Sequence, residues 1–357
     1  MSAPAVPLRK SPMQRKADMV LTAVFIALAA WGLFHFTKWA VVDADWHGTT
    51  RADCRSGGAC WAFIANRWGQ FMFGFYPADQ RWRPEFVGLL AVAGTGWLMA
   101  PRLPAKRIAA VTMLTAAPVM AAALLYGDVF GLPVVTTEKW GGLLLTLILG
   151  AGGIVLSFPL AVGLALARSG SLPLIRWAAV AYIEVCRGLP LIAVLFMARL
   201  LLPLALPPGT QVDVLALALA GIVMFESAFL AEVIRGGLQA LPSGQVEASK
   251  SLGFGYWRTA VYVTLPQALS MVVPGIVNNA IALVKNTTLV IALGLFEFLN
   301  IVSAGAADPD WLGMALEGYV VVGSVFWLLC FGLSRYSQAV ERRIAAGGPR
   351  STHGTAQ

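Results

Sequence analysis

Long apolar runs alternate with short polar ones along almost the whole chain. Crossing a hydrocarbon layer of about 30 Å takes roughly 20 helical residues. Eight runs are candidates: 19–37, 86–100, 108–126, 141–167, 188–206, 214–234, 265–284 and 313–334. The second, FVGLLAVAGTGWLMA, is short unless Trp82 to Glu85 extend it. Residues 286–305 (NTTLVIALGLFEFLNIVSAG) are apolar but interrupted by Asn, Glu and Gly, which predicts a partly inserted helix on the outer side. The pattern predicts an all-α polytopic membrane protein with about eight transmembrane helices.

Composition supports this class, since 58% of residues are hydrophobic and 12% charged, whereas soluble domains carry about 25% charged residues. The net charge of +8 raises the question of nucleic acid. The basic residues are scattered between apolar runs, however, which is how loop charges set topology, so no nucleic-acid partner is expected. With the N-terminus inside, alternating loops place seventeen Lys and Arg inside and eight outside, six of the eight in the long loop 38–85. Both termini are therefore predicted to be cytoplasmic. A cleaved signal peptide would need a small-residue site after the first apolar run, but Lys38 and Trp39 follow, which predicts an uncleaved span. The tail GGPRSTHGTAQ is predicted to be disordered.

Cys54 and Cys60 share the loop 38–85, whereas Cys186 and Cys330 stand alone near span ends. In an oxidising compartment the first two could close a disulfide. Their spacing would also suit a metal pair, but no histidine cluster accompanies it, and His35, His47 and His353 are dispersed. Trp31, Trp39, Trp46, Trp61, Trp68 and Trp82 read as an interface belt, or in part as a docking surface for a binding protein.

One polar stretch interrupts the apolar pattern: QVEASKSLGFGYWRTAVYVTLP, residues 245–266. Pro242 and Ser243 carry a helix-start signal. Gly253 supplies a left-handed stop, and a second short helix is expected from about Tyr256. The small residues Ala248, Ser249 and Ser251 suit a helix gripped by another protein. A merely solvated loop helix would carry the same features.

The spacing adds something sharper. Glu247-Ala248-Ser249, three residues, Gly253, nine residues, Val263, one residue and Leu265-Pro266 resemble the EAA signature of ABC importer permeases. That signature reads E-A-A-x3-G-x9-I-x-L-P; Ser249 and Val263 are the two departures. The resemblance implies a coupling helix over 243–253, with Glu247, Ala248, Ser249, Lys250, Leu252 and Gly253 docking on an ATPase chain. Residues 141 to about 300 are similar to the polar amino-acid (histidine/glutamine-type) permeases, in LSFPLAVGLALAR, YIEVCRGLPLIAVLF, AFLAEVIRGGLQALPSGQVEASKSLG, VTLPQALSMVVPGIVNN and LVKNTTLV. The first three spans and the Trp-rich loop resemble the M-type subunit of general L-amino-acid importers.

From this resemblance follow three expected regions. They are an N-terminal extension (1–140), a five-helix type I permease core (141–335) and a cytoplasmic tail (336–357) expected to be disordered. The resemblance implies a bacterial inner-membrane importer that works by alternating access. Its partners would be an ATPase dimer, a second permease (a sister chain in a heterodimer), a periplasmic amino-acid-binding protein and membrane lipid. This chain would bind no cofactor and not itself be an enzyme, with ATP and Mg2+ on the ATPase. In line with that, Gly244 to Ser251 (GQVEASKS), the nearest string to a phosphate loop, lacks the glycine before Lys250. The alternative is an ATP-independent secondary transporter or channel for small polar solutes. A membrane enzyme would need clustered acid, base or metal groups within the spans.

Ionisable side chains inside spans are costly and are functional candidates by default. Arg199 and Glu226 fall inside the fifth and sixth runs. They read either as a buried ion pair clamping two helices or as contacts for a substrate's carboxylate and ammonium. Lys285, Asn286 and Thr287 end the seventh run and complete the expected pathway; relatives often carry Asp where Asn286 stands. Glu184 with Arg187, and Glu232 with Arg235, are spaced for pairing along one helix face.

Overall fold

The computed structural model describes residues 12–100, 103–129 and 131–347. Its helices are α1 (Pro12–Thr37), α2 (Trp61–Phe73), α3 (Trp82–Met99), α4 (Lys106–Leu114), α5 (Ala116–Tyr126), α6 (Gly142–Ser169) and α7 (Pro173–Gly188). They continue with α8 (Leu191–Leu201), α9 (Val214–Gln239), α10 (Ser243–Ser251), α11 (Tyr256–Thr259), α12 (Leu265–Asn286), α13 (Ile301–Ala306) and α14 (Ala315–Gly347). Among the described residues, extended backbone pairs only as isolated bridges.

Six helical stretches among the described residues are long and apolar enough to cross a membrane: Gln14–Val42, Ile108–Tyr126, Gly142–Ser169, Val214–Gln239, Tyr256–Leu293 and Ala315–Arg342. The pair Pro173–Gly188 and Leu191–Ala205, bent by 113°, makes a seventh if taken as one span. The expected span at 86–100 falls short. Arg83, in the first turn of α3, is fully buried, and its guanidinium donates to the Pro133 carbonyl at 3.0 Å and to Gln80 at 2.6 Å. That turn is thereby held in loop structure, and the apolar remainder of α3 is only about 21 Å long at 1.5 Å per residue.

Two further expectations are corrected. Residues 286–305 form no single helix: a 3-10 turn runs Thr287–Leu293, Gly294 takes φ +84°, and α13 begins at Ile301. The expected tail at 336–357 is helical as far as Gly347, because α14 runs on through residues such as Ala, Glu and Arg that favour helix. Residues 348–357, like Arg9, Lys10 and Arg102, lie outside the described residues.

The chain divides into two compact units, Met1–Arg67 with Ala306–Glu317, and Trp68–Gly305 with Gly318–Gln357. In the first, hydrogen bonds from the Ser56 hydroxyl and N–H (2.7 and 3.0 Å) hold the Asp45 carboxyl below its ordinary pKa. The Thr49 and Thr50 N–H groups do the same for Asp53 at 2.8 and 3.0 Å. Trp61 packs its ring 6.0 Å from Trp39 and 6.1 Å from Trp46, so these three serve the unit's own packing as well as any interface. Arg67 pairs with Asp308, and the Cys60 N–H donates to the buried Glu317 carboxylate at 3.1 Å.

Cys54 and Cys60 are joined as a disulfide, with Cα atoms 5.7 Å apart. Both thiols should therefore resist maleimide in intact cells until a reductant is added. Labelling of either one without reductant would rule the bond out.

The second unit is organised around α6 and α9. Between helices in lipid there is little hydrophobic driving force, so close packing of small residues must supply the attraction. Gly150, Gly153, Ser157, Ala161 and Ala165 form such a stripe on the buried face of α6. A side chain built at Gly153 would lie 2.7 Å from Ile222 of α9 and 2.8 Å from Leu283 of α12, so those three helices meet where only hydrogen fits. On both sides of that contact the packing is aliphatic. Leu145, Leu149, Leu195 and Ala218 fill one end; Ala165, Ile183, Ala231 and Ile234 fill the other.

Candidate functional site

The chain between α9 and α12 is built as a rigid module rather than a slack loop. Pro242 occupies the N-cap position and Ser243 starts α10, without any side-chain cap. At the other end Gly253 takes φ +79°. Its N–H donates to the Lys250 carbonyl at 2.9 Å, and the Phe254 N–H donates to the Ser249 carbonyl at 3.0 Å. This double closure is a Schellman stop, which satisfies carbonyls the helix end would otherwise strand.

The faces of α10 are sorted. Ser249 is buried, and its hydroxyl meets the Thr259 hydroxyl of α11 at 3.0 Å and donates to the Val246 carbonyl at 2.8 Å. It therefore does not belong to the gripped surface expected from the sequence, because α11 covers it. Glu247, Ala248, Lys250, Ser251 and Leu252 are exposed, Leu252 by 77%. From α11 the backbone passes through a π-helical turn, Ala260–Thr264, into α12, so Tyr256–Leu293 is one helical stretch.

Five charged residues meet where α6, α7 and α9 converge. Arg168 at the end of α6 bonds Glu184 at 2.9 Å and Glu232 at 3.1 Å. Arg235 bonds Glu232 at 2.9 Å, and Arg187 approaches the same carboxylate at 3.8 Å. The Glu232–Arg235 pair matches the sequence spacing. Glu184 and Arg187 do not pair with each other; each reaches a different helix instead, because α7 lies across both α6 and α9.

The pairing of Arg199 with Glu226 is also corrected. Counting depth along a straight span over 188–206 puts Arg199 near mid-membrane, but α8 ends at Leu201, which removes that premise. Arg199 sits in the last turn of α8, where a cation suits the helix end, and donates to the Leu293 carbonyl at 2.8 Å. Among the described residues no ion pair joins it to Glu226.

Glu226 is 4% exposed, and its Oε1 has no hydrogen-bond partner. The buried Nδ2 of Asn279 on α12 is likewise unpartnered. α9 and α12 run antiparallel, touching at Val233 with Gly275 and meeting again around Ile222 and Leu283. Glu226 and Asn279 fall between those contacts at corresponding positions. The sequence reading missed Asn279; an amide inside an apolar span was the available signal.

At the far end of α12, Lys285 is exposed, Asn286 half-buried and Thr287 buried, its hydroxyl donating to the Val284 carbonyl at 2.8 Å. The chain beyond is fixed by a residue the sequence reading treated only as an interruption. Glu297 is fully buried, and its carboxylate accepts from the Thr146 hydroxyl (3.2 Å), the Leu299 and Asn300 N–H groups (3.0 Å each) and the Asn300 amide (2.7 Å).

Residues 157–346, which contain every charged residue of the α6–α12 site, match the family described as binding-protein-dependent transport system inner membrane component. The chain belongs to this family. It is the multi-span permease component of an inner-membrane transport system. The permease is 49% identical to the inner membrane amino-acid ABC transporter permease protein YhdY of Escherichia coli (strain K12), over 87% of its length and 84% of that protein. It is 36% identical to the glutamate/glutamine/aspartate/asparagine transport system permease protein BztC of Rhodobacter capsulatus, over 94% of its length and 93% of that protein. The probable glutamine ABC transporter permease protein GlnP of Bacillus subtilis is 30% identical and covers 57% of this permease with 92% of its own length. A match over 94% of the permease includes most of residues 1–140, so at least one relative shares much of the N-terminal extension.

Proposed function

We propose that this permease forms the translocation pathway of an ATP-driven importer of polar amino acids and is driven by a separate ATPase through α10. The observation that carries this reading is the division of labour on α10. Glu247, Ala248, Lys250 and Leu252 face outward, while Ser249 is tied through Thr259 into the stretch that becomes α12. A push on the exposed face has a short, hydrogen-bonded route to α12, which carries Asn279, Lys285 and Asn286 and leads directly into Thr287. An ATPase dimer holding ATP and Mg2+ would press on two such helices, one from this chain and one from a sister permease. A periplasmic amino-acid-binding protein would deliver substrate to the opposite side. On this reading α10 and both termini are cytoplasmic, which the excess of basic residues on that side supports.

For the substrate, the amide of Asn286 offers no fixed negative charge to favour a cationic side chain. The name of BztC, which matches over 94% of this chain, points the same way, toward glutamate, glutamine, aspartate and asparagine, although ArtQ of Bacillus subtilis, similar over 57% of the chain, is named for arginine. Glu226 is proposed to accept the substrate's ammonium. Arg199 would act beside it as a support for the 287–293 turn, and as a carboxylate contact only when released from Leu293.

Gly253 tests the coupling. No atom lies within 4 Å of a side chain built there, so a substitution meets a conformational penalty and no clash. A β-branched residue at φ +79° costs roughly 1–3 kcal/mol, enough to redirect α11 away from α10. Gly253→Val should cut stimulation of ATPase activity by the loaded binding protein about tenfold, with the chain still inserted and the complex still assembled. Gly253→Asn, which tolerates the left-handed region, should keep most of it. Full stimulation of the Val variant would refute coupling through this module.

A further inference from the structure

We infer that α7 is an interfacial helix that binds anionic phospholipid headgroups through an arginine flank. At 16 residues it is about 24 Å long, short of the hydrocarbon thickness, and it is turned 113° from the helix that follows. It therefore does not continue along the axis of α8. Its three faces differ in chemistry. Ala179 is buried, and Ile183 and Cys186 are buried in one cluster with Ala161 and Ala165 of α6 and Ala228, Ala231 and Ile234 of α9. Nearly opposite, Leu174, Trp177 and Val185 are exposed by 76%, 70% and 60%. At 100° per residue these three fall within one apolar stripe.

Between the two faces lie Arg176 and Arg187, eleven residues apart and so about 20° apart around the helix. Arg176 is exposed, and no ion pair or side-chain hydrogen bond is found for it among the described residues. Arg187 is 38% exposed and only 3.8 Å from its single carboxylate partner, Glu232, which Arg168 and Arg235 hold more closely. Three arginines thus face two glutamates where α6, α7 and α9 converge, and Arg176 adds a further positive charge along the same flank of α7.

A helix with an exposed apolar stripe, a tryptophan and a basic flank is suited to lie in a membrane interface, with the stripe among the acyl chains and the arginines at the phosphates. An anionic headgroup fits this surface better than a protein partner does. The exposed apolar residues flank arginines in excess of their acidic partners, and the one acidic residue of α7, Glu184, is held by Arg168 at 2.9 Å.

Native mass spectrometry of the whole purified complex tests the proposal. The complex is equilibrated with mixed micelles of phosphatidylglycerol and phosphatidylethanolamine, and the retained lipids are counted. Basic residues at an anionic surface contribute about fivefold each in affinity. Arg176→Gln should therefore lower phosphatidylglycerol retention about fivefold, and Arg176→Gln with Arg187→Gln further, while phosphatidylethanolamine retention holds. In parallel, a photoreactive phenylalanine analogue placed at Trp177 should cross-link to phospholipid. Unchanged phosphatidylglycerol retention in both variants would overturn the proposal. So would cross-links from position 177 to the sister permease or the ATPase chain. Neither readout depends on transport, so failure here leaves the importer reading standing, and failure of that reading leaves this one standing.

Discussion

Glu226→Gln should lower amino-acid uptake roughly thirtyfold or more while leaving the permease folded and assembled. The carboxyl is 4% exposed, one of its oxygens has no partner, and no basic side chain pairs with it among the described residues. Held only for stability, such a group would be a liability, since an unpaired buried charge costs several kcal/mol. Replacing it by the neutral amide would then leave melting unchanged or raise it, with no loss of transport. Retained for a substrate's ammonium, it would supply a charge-assisted hydrogen bond worth about 1.5–3 kcal/mol. Its loss would appear in uptake and not in melting. Glu226→Asp, which keeps the charge one methylene further back, should fall between the two. Wild-type uptake by the Gln variant would dismiss the substrate role.

Because Arg199 is bonded to Leu293 and not to Glu226, the two sites should also behave independently. Arg199→Gln removes a hydrogen bond worth about 1.5–3 kcal/mol. Combined with Glu226→Gln, its effect on uptake should add rather than cancel. Recovery of uptake in the double variant would reveal an ion pair formed at some stage of the cycle and would reinstate the helix clamp.

What the sequence made legible was local. Gly253 at φ +79°, the short second helix from Tyr256 and the Glu232–Arg235 pair each follow from residues a few positions apart. The limits of α6, α9 and α12 were close to legible because their apolar runs are long and end at charges or prolines. The end of α8 at Leu201 was not. The apolar run continues to Leu206, whereas the helix stops at Leu201 and a 3-10 turn follows from Pro203. The depth assigned to Arg199 inherited that error. The partners of Glu184 and Arg187 were illegible for a related reason: spacing along one helix cannot show that a neighbouring helix offers a better counter-charge.

Glu297 is the sharpest case, and its replacement should have the largest effect on the chain itself. Its ligands come from Leu299 and Asn300, close in sequence, and from Thr146, 151 residues upstream. Thr146 is more than a donor, since its hydroxyl also accepts from the Phe298 N–H at 3.0 Å. Together these bonds fasten the turn before α13 to the first turns of α6, where the Gly142 N–H also reaches the Phe296 carbonyl at 2.9 Å. No cation neutralises the carboxylate among the described residues, so its burial depends on these donors. Glu297→Ala strands two backbone N–H groups, while the Asn300 amide keeps the Thr288 carbonyl; at about 1–3 kcal/mol for each group left unsatisfied the cost is roughly 2–6 kcal/mol. That is a large part of the stability of a typical domain, and the expected result is loss of assembled permease from the membrane. Thr146→Val removes one ligand and should lose less. The double variant should lose clearly less than the two singles added, because the residues share one network. Thermal unfolding of the detergent-solubilised complexes would measure all three. If Glu297→Ala melted with wild type, the turn would be held by packing alone.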